Sequence, residues 1–210
     1  MSAEVIDDLR ERLCKVGKTL YEKGLVSGTV GNISARVPGT DRILIKPSGL
    51  CMGYLKPQDL ILVDVHGKQL EGDRPISVET PMHTAVYRAR NDVNGVVHSH
   101  APTATAFGIA GIEIMPMAIE TFMFIPKGVP IVPFEMPGTK ELANAVQEKI
   151  KEYDAVILEN HGVLTVGATI EEARDLNMVV EETAHLQYMA TVLAGKDAIT
   201  WETLKKKYKL

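Results

Sequence analysis

The chain has 210 residues, 45% of them hydrophobic, which suffices for a substantial core in one α/β domain spanning residues 1–210. Its 23 basic and 27 acidic residues give a formal charge of −4, and the basic cluster Lys205-Lys206-Lys207 is short, so a nucleic-acid partner is not expected. Two cysteines make no disulfide framework, the N-terminus shows no apolar leader, and no apolar run approaches the ~20 residues that cross a bilayer, so a cytoplasmic protein without a membrane partner is expected.

Ile6, Leu9, Leu13, Val16 and Leu20 recur every three or four residues and Gly24 follows, which predicts a helix over 3–23. Ile33, Ala35 and Val37 alternate with polar residues, PGTD (38–41) turns the chain, and RILIK (42–46) returns as a hairpin. LILVDV (60–65), the turn HG and KQLEG (68–72) predict a second hairpin. A helix from Pro81 to Arg90 follows, with Thr80 as its N-cap and Pro81 at the first helical position. NG (94–95) opens a strand, and the stretch beyond it, rich in Pro and Met, is less regular. Residues 141–151 then read as a helix and 155–158 and 163–167 as strands joined by the turn ENHG. Thr169 and Glu172 form a capping-box pattern before a final long helix over 170–193.

VVHSHAP (96–102) places two histidines one residue apart at the end of an apolar run. Alternate residues of a strand share a face, so Val96, His98 and His100 lie on one side and Val97 and Ser99 on the other. Two imidazoles make half of a zinc-type site, which needs three or four ligands. His161 is the leading candidate for the third, because it sits in the ENHG turn, where Gly162 can adopt a positive φ and let the preceding side chain project. On these residues alone the pair reads either as half of a metal site or as polar residues at a strand boundary.

Five segments, GNISAR (31–36), IKPSG (45–49), SVETPMH (77–83), VVHSHAP (96–102) and LENHGVLTVG (158–167), resemble in this order the class II aldolase family of L-fuculose-1-phosphate aldolase and L-ribulose-5-phosphate 4-epimerase. The resemblance covers roughly residues 5–195. It implies a three-layer α/β/α domain around a largely antiparallel sheet, and a homotetramer with active sites between subunits. It also implies a Zn²⁺ ion, with Mn²⁺ or Co²⁺ as alternatives, held by His98, His100 and His161. Glu79 falls on the family's catalytic acidic residue, and Gly31, Asn32, Ser48, Gly49 and Ser77 fall on its phosphate site. The implied activity is cleavage of a ketose 1-phosphate, such as L-fuculose 1-phosphate, to dihydroxyacetone phosphate and an aldehyde through a metal-stabilised enediolate. Sugar-phosphate 4-epimerisation and dehydration of a methylthioribulose phosphate are the enzymatic alternatives. A non-catalytic, metal-binding oligomeric scaffold is the alternative of another class.

Three places depart from the pattern. Val78 stands where well-known members have a second serine. MPMAIETFMF (115–124) lacks the tyrosine that the aldolase contributes from a neighbouring subunit and does not reproduce the epimerase's threonine and aspartate. In the C-terminal segment 196–210, expected as a mobile tail, Tyr208 is either the counterpart of the aldolase's tail tyrosine or part of a docking face with Trp201 and Leu204. His66 reads as a solvated hairpin residue, His185 as a helix residue without an acidic or cysteine partner at ligand spacing, and His83, four residues after Glu79, as a group that orients that carboxylate or as a structural part of its helix.

Overall fold

The structure, a computed structural model, describes residues 3–195 and 200–208. Helix α1 (Ala3–Glu22) buries Leu9, Leu13, Val16 and Leu20 along one stripe. It ends in a Schellman motif: Gly24, at φ 72°, donates to Tyr21 O and Leu25 donates to Leu20 O, each at 3.0 Å. Each fully buried leucine of that stripe contributes about 1.5–3 kcal/mol relative to exposure.

Strands β1 (Asn32–Arg36), β2 (Arg42–Ile45), β3 (Ile61–Asp64) and β4 (Gln69–Glu71) form the two expected hairpins. Helix α2 (Thr80–Ala89) follows, then β5 (Gly95–Ser99), α3 (Pro102–Ala110), α4 (Ile119–Phe124), β6 (Ile131–Val132) and α5 (Lys140–Ile150). The chain continues with β7 (Ala155–Leu158), β8 (Gly162–Gly167), α6 (Ile170–Ala194) and α7 (Trp201–Tyr208). The described strands make one sheet in the order β4-β3-β2-β1-β5-β8-β7-β6, antiparallel throughout except for the β6–β7 pair.

The sheet's period-two alternation feeds two cores. Ile33, Leu44, Val97, Ile157 and Val163 pack with α1, α3 and α6 on one face. Ile43, Ile45, Val96, Val156 and Leu164 pack with α2 and α5 on the other. The result is the expected three-layer α/β/α arrangement with a mostly antiparallel sheet.

Some details differ from the sequence reading. The N-cap of α2 is Glu79 rather than Thr80, whose hydroxyl instead donates to Ser77 O at 2.7 Å. The Glu79 carboxylate does not cap α2 either, since it turns into the site described below. The less regular stretch after β5 contains α3, which carries small and apolar residues with no amphipathic contrast, and the very short α4 and β6. The start of α6 keeps half of the expected capping box, with Thr169 Oγ1 accepting from Glu172 N at 3.1 Å, while the Glu172 carboxylate meets the residue before the N-cap, accepting from Ala168 N at 3.0 Å.

Of the expected tail, residues 196–199 and 209–210 lie outside the described residues. Residues 201–208 form α7, in which Leu204 is buried, while the side chains of Trp201 and Tyr208, and with them the two readings of Tyr208, are outside what is described. Among the described residues no helix is long and apolar enough to cross a membrane.

Candidate metal and substrate site

The site grows from the middle of the sheet, where β5 lies between β1 and β8. Val97 and Ser99 face α6, with Ser99 Oγ donating to Asn177 Oδ1 at 2.7 Å, so Val96 and His98 face the α2 side. His98 Nδ1 lies 3.0 Å from Val163 O. A carbonyl can only accept, so Nδ1 carries the hydrogen and Nε2 of the neutral ring keeps its lone pair. Complete burial pushes the His98 imidazolium down to about 3, which keeps the ring neutral. His100, one residue beyond the strand, is also lowered, chiefly by burial and then by the neighbouring His161.

His161 arrives from the β7–β8 turn. The positive φ belongs to Asn160, at 55°, and not to Gly162, the first residue of β8. Asparagine tolerates the left-handed region, so the turn closes one residue earlier than expected. Gly162 is required for a different reason: a Cβ there would collide with Ser99 O and press on the His98 and His100 rings. The three rings consequently pack together, with centroids 5.1, 4.7 and 5.3 Å apart. One ligand atom from each lies within 4.8 Å of the others.

Glu79, at the N-terminus of α2, brings its carboxylate to this cluster. Its Oε2 is 3.3 Å from His98 Nε2 and its Oε1 3.4 Å from His161 Nε2. The Glu79 carboxyl lies below its ordinary value; burial opposes this, and the 2.6 Å hydrogen bond from Asn32 Nδ2 favours the ionised form. His98 Nε2 and Glu79 Oε1 are buried atoms without a hydrogen-bond partner. An imidazole lone pair facing a carboxylate is a contact of two acceptors, and a shared cation relieves it. Three imidazoles beside an ionised carboxylate form a donor set that suits a zinc-class ion, so the residues fit the metal that the family resemblance implies.

Beside the cluster is a cavity of about 270 Å³. Its lining includes all five residues expected at the phosphate site, Gly31, Asn32, Ser48, Gly49 and Ser77, together with Glu79, His100 and His161. Gly31 and Gly49 take positive φ, 74° and 76°, which shapes the loops around the opening. Ser77 Oγ accepts from Glu79 N at 3.3 Å, and Ser48 Oγ donates to Ile76 O at 3.1 Å.

Lys46, which the sequence reading did not single out, also lines the cavity. It is 2% exposed, its Nζ donates to Thr29 O at 3.1 Å, and burial pushes its pKa down to about 8. A lysine at a strand end is ordinarily solvated, so only its place within IKPSG offered a signal.

His66 and His185 are exposed, and neither lines this cavity. His83 is fully buried; its backbone N–H bonds to Glu79 O at 3.3 Å, while its ring touches Asn32 and Ser34 and is linked by hydrogen bonds to the Glu79 carboxylate through Asn32. Val78, where a serine was missing, is 66% exposed.

With the geometry established, comparison with known proteins gives it a lineage. The family model for the class II aldolase and adducin N-terminal domain matches residues 11–188. A 5-deoxy-D-ribulose 1-phosphate aldolase from Bacillus thuringiensis is 33% identical over 202 residues, covering 95% of this chain and 94% of its own. A 3-oxo-tetronate 4-phosphate decarboxylase from Escherichia coli is 33% identical over 192 residues, 89% of each chain. The crystal structure of an L-fuculose-1-phosphate aldolase from Thermus thermophilus superposes with a TM-score of 0.80 at 31% identity, over 89% of this chain and 96% of that one.

Proposed function

The chain belongs to the class II aldolase family, a membership that implies a lyase, and from it we propose that the protein cleaves a ketose 1-phosphate, such as L-fuculose 1-phosphate, to dihydroxyacetone phosphate and an aldehyde. The observation that carries this reading is the convergence of His98, His100, His161 and Glu79 beside the cavity that Lys46 lines. His98 Nε2, His100 and His161 would hold a divalent ion, Zn²⁺ by donor type, with Mn²⁺ or Co²⁺ as alternatives. When bound, that ion supplies Lewis acidity at the substrate's carbonyl and hydroxyl oxygens.

The chain's own residues supply the rest. Cleavage releases a proton from the hydroxyl that becomes the aldehyde and leaves an electron pair on the carbon beside the carbonyl; Glu79, ionised beforehand, takes up that proton and delivers it to this carbon. The Lys46 ammonium offers the phosphate a positive charge in a poorly solvated place, while Gly31, Asn32, Ser48, Gly49 and Ser77 shape the pocket around it. Asn32 donates one amide hydrogen to Glu79, which leaves its second for the substrate.

We further propose a homotetramer whose interfaces complete the sites. Exposed Ile119, Met123 and Phe124 of α4 and Val192 and Leu193 of α6 supply the apolar surface that such contacts need.

One observation favours a second reading, decarboxylation: the Escherichia coli relative bearing that name is as similar as the aldolase from Bacillus thuringiensis. Loss of carbon dioxide from a 3-oxo acid also leaves an electron pair beside a carbonyl, so the same residues would serve it. Epimerisation would keep both fragments bound, dehydration would release water, and a scaffold would bind metal without turnover. The test is to assay metal content and then offer a panel of ketose 1-phosphates and 3-oxo-tetronate 4-phosphate, reading dihydroxyacetone phosphate, aldehyde and carbon dioxide separately. Aldehyde formation supports the aldolase reading, and carbon dioxide without aldehyde replaces it with the second.

A further inference from the structure

Behind Glu79 runs a line of buried polar side chains, Tyr87, Ser34, His83 and Asn32, each within hydrogen-bond reach of the next and none more than 5% exposed. The end at Glu79 fixes the direction of every bond in it. A carboxylate only accepts, so Asn32 Nδ2 is the donor across 2.6 Å. Asn32 Oδ1 is then the atom that meets His83 Nε2, and because an amide oxygen only accepts, Nε2 must carry the hydrogen. The neutral ring therefore has a bare Nδ1, which accepts from Ser34 Oγ at 2.7 Å. With its hydrogen engaged there, Ser34 Oγ accepts from the Tyr87 hydroxyl at 2.9 Å. Burial, which pushes His83 down to about 4, agrees with a neutral ring.

We propose that His83 is a positioning residue whose Nε2–H tautomer locks the Asn32 amide with its nitrogen, and not its oxygen, toward the Glu79 carboxylate. The opposite polarity would put a hydrogen on His83 Nδ1 and leave Nε2 to accept from Asn32 Nδ2. Asn32 Oδ1 would then face Glu79 Oε2, a contact of two acceptors that only a protonated Glu79 tolerates. The chain of donors pointing at Glu79 thus favours its ionised form and restrains its rotamer. The functional consequence rests on the proposal that Glu79 moves the proton; the tautomer assignment does not.

Two experiments keep those apart. Nitrogen-15 NMR of the zinc-loaded protein at pH 7.5, with the His83 ring assigned by its loss in His83→Gln, is expected to show a protonated Nε2 and a bare Nδ1; a protonated Nδ1 overturns the proposal whatever the enzyme turns over. Kinetically, the glutamine amide nitrogen can replace Nε2 toward Asn32, whereas the shorter asparagine of His83→Asn reaches only toward Ser34. His83→Gln is expected to stay within about threefold of wild-type kcat, and His83→Asn to lose about 10–100-fold with KM, metal content and melting temperature close to wild type. Equal losses in the two variants, or a loss confined to KM or melting temperature, overturns the positioning role. Should His83→Gln fail to fold, the ring is assigned instead through its contact with Ser34 and, beyond it, Tyr87, and the NMR result on the wild-type protein stays decisive.

Discussion

The histidine corner and the cavity beside it share a wall but are built differently. His98 comes from a central strand, its tautomer set by Val163 O on the neighbouring strand, and its Nε2 is sealed from water. The cavity beside it is made of loops, with glycines at positive φ and hydroxyls that already hold backbone partners. Under the proposed function, His98 on its strand and His100, His161 and Glu79 at the ends of elements would carry the part of the chemistry that every reaction leaving an electron pair beside a carbonyl requires. The loops around the cavity would then carry what distinguishes one phosphorylated substrate from another.

The largest effects should therefore come from the corner. His98→Ala or His161→Ala is expected to empty the metal site, measured by elemental analysis, and to abolish turnover. Full occupancy in either variant removes that residue from the ligand set. Glu79→Gln should separate two functions that the corner combines: exchange of solvent deuterium into dihydroxyacetone phosphate should fall by about 10²–10⁴-fold while metal content stays near wild type. Exchange at the wild-type rate would assign the proton to another group, and joint loss of metal would make Glu79 chiefly a ligand.

The cavity should respond in binding instead of chemistry. Lys46→Met removes its buried ammonium and is expected to raise KM for the phosphorylated substrate about 10–100-fold, the scale of one charge-assisted hydrogen bond, with kcat and metal content little changed. A fall in kcat with unchanged KM would place Lys46 in the chemical step and erase the boundary between the two regions.

What was legible in the sequence follows the same boundary. Strand alternation put His98 and His100 on one face without help from any relative, and the strand–turn–strand pattern around ENHG pointed to His161. The sheet and the long helices were legible because their apolar periodicities are strong. Helix α3 was not, because PTATAFGIA lacks a polar face and so has no 3.6-residue contrast to detect. Lys46 escaped because nothing local tells a buried lysine from a solvated one. The positive φ was assigned to Gly162 by residue type, whereas that glycine answers to the backbone of Ser99 across the sheet, a long-range contact.

Stability against pH tests how dry the ground behind the corner is. His83 has a folded-state pKa of about 4 against 6.5 for the free side chain, through burial. The unfolded chain takes up the proton first, so the stability that neutral His83 provides is complete above about pH 6.5 and is lost progressively as pH falls through about 4. Metal-free protein should melt at a falling temperature across that window, and His83→Gln, which cannot titrate, should melt with a shallower slope. Parallel slopes would mean that His83 is solvated.

The smallest effect falls on two serines that the family pattern treats alike. Ser48 has both its donors engaged: its backbone N–H bonds to Pro75 O at 3.1 Å and its hydroxyl to Ile76 O at 3.1 Å. Ser77 Oγ only accepts, from Glu79 N at 3.3 Å, so its hydrogen can turn toward the cavity. A phosphate offers acceptors, and Ser48 can donate to it only by giving up Ile76 O, an exchange of one bond for another with a small net gain. A neutral hydrogen bond contributes about 0.5–1.5 kcal/mol net, so Ser77→Ala should raise KM by about 2–10-fold and Ser48→Ala by less than about twofold, with kcat unchanged in both. Steady-state kinetics on the same phosphorylated substrate measures the difference. The reverse order would mean that the loop between β2 and β3 turns the Ser48 hydroxyl away from Ile76 when phosphate binds, and that the cavity rearranges where the corner does not.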